Sequence, residues 1–230
     1  MSGASPKGVP KSKQFDDVYF SADNGLAESE YVFLDGNHLP CGWQAQERFT
    51  ICETGFGTGL NFLTAWKCFE ETTGAHQKLD FISFEKYPVE SEEIELFLHR
   101  WVEFFDGRLH RLAQRYPPAL PGFHRVVLND RVTLTLIFDD VNEAIPRVDA
   151  SVDAWFLDGF KPSTNPDMWS ETVFEHMARL SYEGTRFATF TAAGAVRRGL
   201  QNAGFLVEKI KGYGRKRDMT IGVFKGEVRS

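Results

Sequence analysis

An α/β fold with one mostly parallel sheet is what this chain predicts, and three observations carry that prediction. From Phe49 onward, short apolar and β-branched runs alternate with stretches of helical spacing, the pattern of parallel strands joined by crossover helices. A glycine-rich turn, Glu53-Thr-Gly-Phe-Gly-Thr-Gly-Leu-Asn-Phe62, joins the first such strand to the first such helix. Acidic residues then stand at the ends of four predicted strands: Glu53, Glu85, Asp139 with Asp140, and Asp158. Open α/β sheets hold their ligands beyond those strand ends.

The elements follow in order. Residues 1–14 mix Ser, Gly, Pro and three lysines without periodicity and are expected to form a flexible arm before a single domain over 15–230. Within 15–48, the runs Asp16–Ser21 and Tyr31–Asn37 flank the turn signal Ala22-Asp-Asn-Gly25. A small N-terminal β hairpin is expected there. The α/β core over 49–230 opens with Phe49–Cys52, a buried strand. A helix follows, with Leu60, Leu63, Trp66 and Phe69 directed at the sheet. Leu79–Phe84 is the second strand. A helical region from Ser91 to Tyr116 is interrupted near Asp106-Gly107, and Tyr116–Gly122 is a proline-stiffened loop. Arg125–Leu128 and Val132–Phe138 are consecutive strands or a hairpin about Asn129-Asp130. Val152–Leu157 is a buried strand ending at Asp158. A helix from Pro166 to Leu180, a strand from Arg186 to Phe190 and a helix from Ala193 to Ala203 continue the alternation. Phe205–Lys211 and Met219–Phe224 close the chain as an antiparallel pair.

Composition narrows the class. A length of 230 residues supports one good core rather than two. No apolar run approaches the roughly 18 residues that cross a bilayer, so no membrane partner and a cytoplasmic location are expected. Cys41, Cys52 and Cys68 lack metal-ligand spacing, and no metal is expected. A net charge of −6 argues against a general nucleic-acid coat and leaves room for a local basic patch. Arg197, Arg198, Lys209, Lys211, Arg215, Lys216 and Arg217 supply such a patch near the C-terminus, with a solvated face as the alternative.

The glycine turn narrows the chemistry. Gly55, Gly57 and Gly59 let a ligand approach the backbone, and the helix that follows begins with free N–H groups. The spacing is G-x-G-x-G, and the final glycine of a dinucleotide fingerprint is missing. Glu53 would repel a pyrophosphate but could face the ammonium of a cationic cofactor such as S-adenosylmethionine. A nicotinamide oxidoreductase is therefore disfavoured, and a purely structural glycine turn stands as the alternative. Phe56, Thr58 and Asn61 belong to the same cofactor-binding stretch, and Lys86 follows the second strand end. Glu85 is placed to accept ribose hydroxyls and Asp140 an adenine amino group. Asp158 breaks a strand into the loop Asp158-Gly-Phe-Lys-Pro162, which puts a carboxylate where substrate meets cofactor.

Taken together, DDVYFSADNGL (Asp16–Leu26), ETGFGTGLNFL (Glu53–Leu63), FISFEKYP (Phe81–Pro88), DAWFLDGFKPSTNPDMW (Asp153–Trp169), ATFTAAGAVRRGLQNAGF (Ala188–Phe205) and GYGRKRDM (Gly212–Met219) carry a resemblance. The chain resembles the methyltransferase domain of the bacterial tRNA 5-methylaminomethyl-2-thiouridine biosynthesis bifunctional protein family. That resemblance implies a Rossmann-like class I methyltransferase fold, S-adenosyl-L-methionine as cofactor, and methylation of the 5-aminomethyl group on the wobble uridine of tRNA. It implies cofactor-binding roles for Glu53, Gly55, Gly57, Gly59, Glu85 and Asp140, and a catalytic role for Asp158. Lys161 stands where the family more often has a small residue, and its charge is expected to tune contact with RNA or Asp158 itself. In the family, a flavin-dependent oxidoreductase domain exposes the amine. No flavin is expected in this chain, so such a domain or protein is an expected partner. Methylation of a protein or small-molecule amine and a non-catalytic cofactor-binding subunit are the alternatives.

Overall fold

Alternation along the strands divides the apolar residues between two cores, one on each face of a single sheet. The computed structural model describes residues 3–4, 10–11, 24–214 and 216–226. Among these, β1 (Arg48–Glu53), β2 (Lys78–Phe84), β3 (Gly122–Val127), β4 (Val132–Phe138), β5 (Val152–Phe156), β6 (Ser181–Thr189), β7 (Phe205–Lys211) and β8 (Asp218–Phe224) form an eight-stranded sheet. Its order is β3-β4-β2-β1-β5-β6-β8-β7. The central strands β4, β2, β1, β5 and β6 are parallel. β3 joins β4 antiparallel, and β8 runs antiparallel to both β6 and β7. The expected terminal pair is present, and Arg125–Leu128 with Val132–Phe138 resolves as a hairpin.

Phe49, Ile51, Phe81, Leu134 and Phe156 point into one core, while Cys52, Ile137, Trp155 and Phe187 point into the other. Helices α2 (Leu60–Thr72), α3 (Ser91–Leu98) and α4 (Arg108–Arg115) cover the first face. The short α5 (Val141–Ala144), with α6 (Glu171–Leu180) and α7 (Gly194–Asn202), covers the second. The expected break within 91–116 falls at Asp106 and Gly107, whose φ angles of 47° and 75° reverse the chain before α4. At the centre of the first core, Phe62 and Phe81 meet edge to face with centroids 5.1 Å apart. Burial of apolar surface is the dominant favourable term in folding, and aromatic rings bring much of it to this core.

The N-terminal region departs from expectation. Tyr31–Asn37 is not a strand but a π-helical turn (Glu30–Leu34) and a 3-10 turn (Asp35–Asn37) that prolong α1 (Gly25–Ser29). Asn24 is the reason: its Oδ1 accepts from the Ala27 N–H at 3.1 Å and caps a helix, where Asn-Gly had read as a hairpin turn. Val32, Phe33 and Leu34 are buried against the first core. The Phe33 ring stacks on Phe156 at 5.2 Å, so packing, not strand pairing, uses these apolar residues. The other expected strand, Asp16–Ser21, lies outside the described residues, as does most of the 1–14 arm. Within that arm, Gly3–Ala4 and Pro10–Lys11 pair antiparallel. The hairpin expected over 15–48 is absent from the described part of that range.

Candidate active site

The parallel register brings the carboxyl ends of β1, β2, β4 and β5 to one rim. Strand order reverses where β1 meets β5, the topological switch point at which such sheets bind ligands. The turns there are stitched by main-chain bonds. Thr54 N–H donates to Phe156 O at 3.1 Å, Phe56 N–H to Phe84 O at 2.9 Å, and Glu85 N–H to Ile137 O at 2.9 Å. Over this rim lies a cavity of about 940 Å³, within the range of small-molecule sites. Its walls include Gly55, Phe56, Gly57, Thr58 and Asn61 of the glycine turn, Glu85, Lys86, Asp139 and Asp140 of the next two strand ends, and Asp158 with Lys161 of the fourth. Most of the residues singled out from sequence therefore converge on one space.

Glu85 has both oxygens anchored. Gly57 N–H donates to Oε2 at 2.8 Å and Tyr87 N–H to Oε1 at 2.9 Å. Burial raises its pKa against these bonds. With a further backbone donor at Lys86, the carboxylate still has acceptor capacity left for a hydroxyl, which is compatible with the ribose-binding expectation. Asp140 is more occupied than expected. Its Oδ1 accepts from the Asn142 N–H at 2.9 Å as the cap of α5, and Lys86 Nζ donates to Oδ2 at 2.7 Å. Burial alone would raise its pKa, but Lys86 and Asn142 together hold it below the usual carboxylate range. Lys86 thus lines the cavity as the ion-pair partner of Asp140. Asp139 pairs with Arg147.

Glu53 is the clearest correction. It is fully buried and does not line the cavity, so it cannot face a cofactor ammonium directly. It sits beneath Asn61, whose Nδ2 donates to Glu53 Oε1 at 2.9 Å and also to Asp158 Oδ2 at 2.7 Å. Ser83 Oγ donates to Glu53 Oε2 at 2.7 Å, and Ser29 Oγ fixes the amide by donating to Asn61 Oδ1 at 2.6 Å. Burial, aided by the charge of Asp158, pushes the Glu53 carboxyl up to about 8. Gly59 likewise stays out of the cavity. Its φ of 81° turns the chain into α2, and a Cβ there would strike the Phe56 ring.

Asp158 is held rigidly at the mouth. Its Oδ1 accepts from the Gly159 N–H at 2.7 Å, and Thr54 Oγ1 ties down its carbonyl at 2.6 Å. Gly159 has φ 150°, and the Met168 thioether fills the space a Cβ would need, so a larger residue at 159 would strain the backbone beside Asp158 and push Met168 aside. Burial raises the Asp158 pKa to about 6 against the Gly159 and Asn61 bonds.

The basic residues separate. Lys161 and Lys216 line the cavity, whereas Arg197 and Arg198 lie on α7 and do not. Arg198 is exposed, the buried Arg197 Nε has no hydrogen-bond partner, and the Arg217 side chain is 92% exposed. Arg215 lies outside the described residues. Sequence reasoning missed Glu28, Ser29, Phe190 and Tyr213, all of which line the cavity. Asn24 followed at the third residue by Ala27 and then Glu28 was the available signal, a capped helix start in place of a turn. Among the described residues, no cluster of His, Cys, Asp and Glu suits a metal ion, and no helix is long and apolar enough to cross a membrane.

Two comparisons bear on this geometry. A family model described as S-adenosyl-L-methionine-dependent methyltransferase matches residues 104–225, a span that contains Asp140 and Asp158 and begins after the glycine turn. The crystal structure of MnmC2 from Aquifex aeolicus superposes with a TM-score of 0.75 at 24% identity, covering 100% of this chain and 73% of that one. Precorrin-6y C5,15-methyltransferase from Geobacter metallireducens GS-15 gives 0.53 at 12% identity, with 96% of each chain covered. At such identities both likenesses speak for the fold.

Proposed function

We propose, from the premise that this chain belongs to the S-adenosyl-L-methionine-dependent methyltransferases, that it methylates the 5-aminomethyl group on the wobble (2-thio)uridine of tRNA. The membership makes S-adenosyl-L-methionine its cofactor. The donor set fits that molecule: an anchored carboxylate at Glu85 for ribose hydroxyls, a second acidic strand end at Asp140, and glycines where the backbone meets the ligand. When bound, the cofactor supplies an electrophilic methyl group on a sulfonium.

The observation that carries the substrate reading is Asp158, a half-buried carboxylate fixed by Gly159 and Asn61 in the wall of the cofactor cavity. An alkyl amine is held mostly as ammonium at neutral pH, judging from the lysine value of about 10.4. It attacks only through a free lone pair. Asp158 accepts a hydrogen bond from the nitrogen, aims the lone pair and takes the proton that the nitrogen sheds. Its pKa of about 6 brings it nearer the amine's than an ordinary carboxylate would be, which eases that transfer. The tRNA substrate is supported by the motif resemblance, which runs through Asp153–Trp169 around this residue and through Gly212–Met219. A flavin-dependent oxidoreductase, on this or another chain, would supply the amine.

Incubation with methyl-labelled S-adenosylmethionine and tRNA bearing 5-aminomethyluridine tests the reading. Label is expected in 5-methylaminomethyluridine on nucleoside analysis. Label confined to protein or free amines would replace tRNA with one of those substrates. Asp158→Asn is expected to keep cofactor binding by calorimetry and to lose roughly 10²–10⁴-fold in turnover, the usual worth of a positioned acid–base group. A rate equal to wild type would remove Asp158 from the mechanism.

A further inference from the structure

The mouth of the cavity already holds an ammonium. Lys216, in the turn between β7 and β8, places Nζ 2.6 Å from Glu28 Oε1 and 4.7 Å from the centre of the Phe190 ring. Glu28 comes from α1, Phe190 from just past β6, and all three line the same cavity as Asp158. The Glu28 side chain is 15% exposed, so its carboxylate has left most of its water. A desolvated carboxylate beside an aromatic face is the chemistry that selects an alkylammonium. Lys216 itself is an alkylammonium on a four-carbon tether, about half exposed and carried by a turn. Its charge and that of Glu28 both act on Asp158 across the cavity that all three line.

We propose that Glu28 and the Phe190 ring are the receiving site for the substrate's primary ammonium, and that Lys216 fills this site when no substrate is bound. The proposal rests on the amine-methylating reading above and names the residues that recognise the amine. Exchange of one ammonium for another leaves the charges at the mouth balanced, so substrate entry does not strand Glu28 as an unpaired buried carboxylate. Glu28 then selects the cation, and Asp158 orients its nitrogen. A uridine without the aminomethyl arm offers nothing to displace Lys216 and is refused.

The test is the ratio of dissociation constants for two tRNAs, one bearing uridine and the other 5-aminomethyluridine at the wobble position. It is measured with the demethylated cofactor S-adenosylhomocysteine present, so that no methyl is transferred, on wild type, Glu28→Gln and Lys216→Met. Both RNAs carry the same phosphates, so any phosphate contact of Lys216 cancels in the ratio. Wild type is expected to favour the aminomethyl tRNA. Glu28→Gln is expected to shrink that preference by at least about tenfold, the worth of one charge-assisted hydrogen bond. Lys216→Met is expected to enlarge it by about threefold, because the site no longer has to be vacated. The two substitutions break one and the same ion pair. A merely structural strut would therefore move both ratios the same way, or neither, and either result overturns the assignment. If Glu28→Gln does not fold, the direction of the Lys216→Met change alone decides. A wild-type ratio of one would sink the substrate reading too, whereas a wild-type preference untouched by Glu28→Gln removes Glu28 alone.

Discussion

One amide, that of Asn61, holds two carboxyls whose protons have different fates at neutral pH. Asp158, pushed up to about 6, is ionised in most molecules at pH 7, whereas Glu53, pushed up to about 8, keeps its proton. Activity that needs the Asp158 carboxylate should rise with pH through about 6. Asn61→Ala removes a donor that favours the ionised form, so the acid limb of the kcat/KM profile should move to higher pH. An unmoved limb would show that this limb does not report Asp158. Glu53 makes a separate prediction for stability. The folded chain keeps its proton up to about pH 8, while the unfolded chain releases it near the ordinary value of about 4.3. Between those values the native state binds the extra proton, so stability falls as pH rises, by at most about 1.4 kcal/mol per unit for this group. Glu53→Gln, which keeps the acceptor for Asn61, should flatten that slope in urea melts taken from pH 5 to 8. A slope as steep as wild type would mean that Glu53 is already ionised in the fold. The sequence placed both acids at strand ends, with different roles, but did not show that only Glu53 is fully buried. Asp158 follows its strand by two residues and opens to the cavity, whereas Glu53 is still paired within β1 and is buried between Ser83 and Asn61.

Legibility at the scale of elements depended on how much of the signal was local. The parallel strands were readable because their apolar runs are buried on both faces, and the break before α4 because Asp106-Gly107 takes positive φ. The N-terminal region was misread because Asn-Gly serves equally as a hairpin turn and as a helix start. Tyr31–Leu34 has strand-like composition, and the Phe156 ring that claims Phe33 is far away in sequence. Glu28 went unrecognised with it, since only the helical geometry turns that side chain into the cavity. Glycine in α7 gives an element-level prediction in which two effects compete. Gly199→Ala gains about 1 kcal/mol of helix propensity. A Cβ at 199, however, would overlap the Phe174 ring, which is 3% exposed and packed in the second core, and overpacking costs about 1–3 kcal/mol. The clash should win, lowering the urea midpoint, and a raised midpoint would show that Phe174 can give way.

On the scale of the whole molecule, the proposed substrate is a polyanion and the chain's net charge is −6, so the proposal requires affinity for tRNA to come from where the cations stand and not from their total. Several of the C-terminal cations are already engaged: Lys216 with Glu28, and Lys209 with Asp218 at 3.2 Å. Arg198, exposed on α7, and Arg217, 92% exposed and only 3.7 Å from Asp218 at its nearest, are better placed to release counterions from phosphates. Each phosphate contact adds roughly 0.7–0.9 to the slope of log affinity against log salt. The double variant Arg198→Gln, Arg217→Gln should therefore weaken tRNA binding and lower that slope by roughly 1.5. Its preference for aminomethyluridine over uridine should stay as in wild type, because neither arginine lines the cavity. Filter binding between 50 and 200 mM salt with the two tRNAs reads both quantities at once. An unchanged slope would assign these arginines to the solvated surface, and a changed preference would place them in recognition of the base. The charge pattern predicts that the two quantities separate: cations outside the cavity hold the RNA, and the Glu28 mouth decides which uridine is methylated.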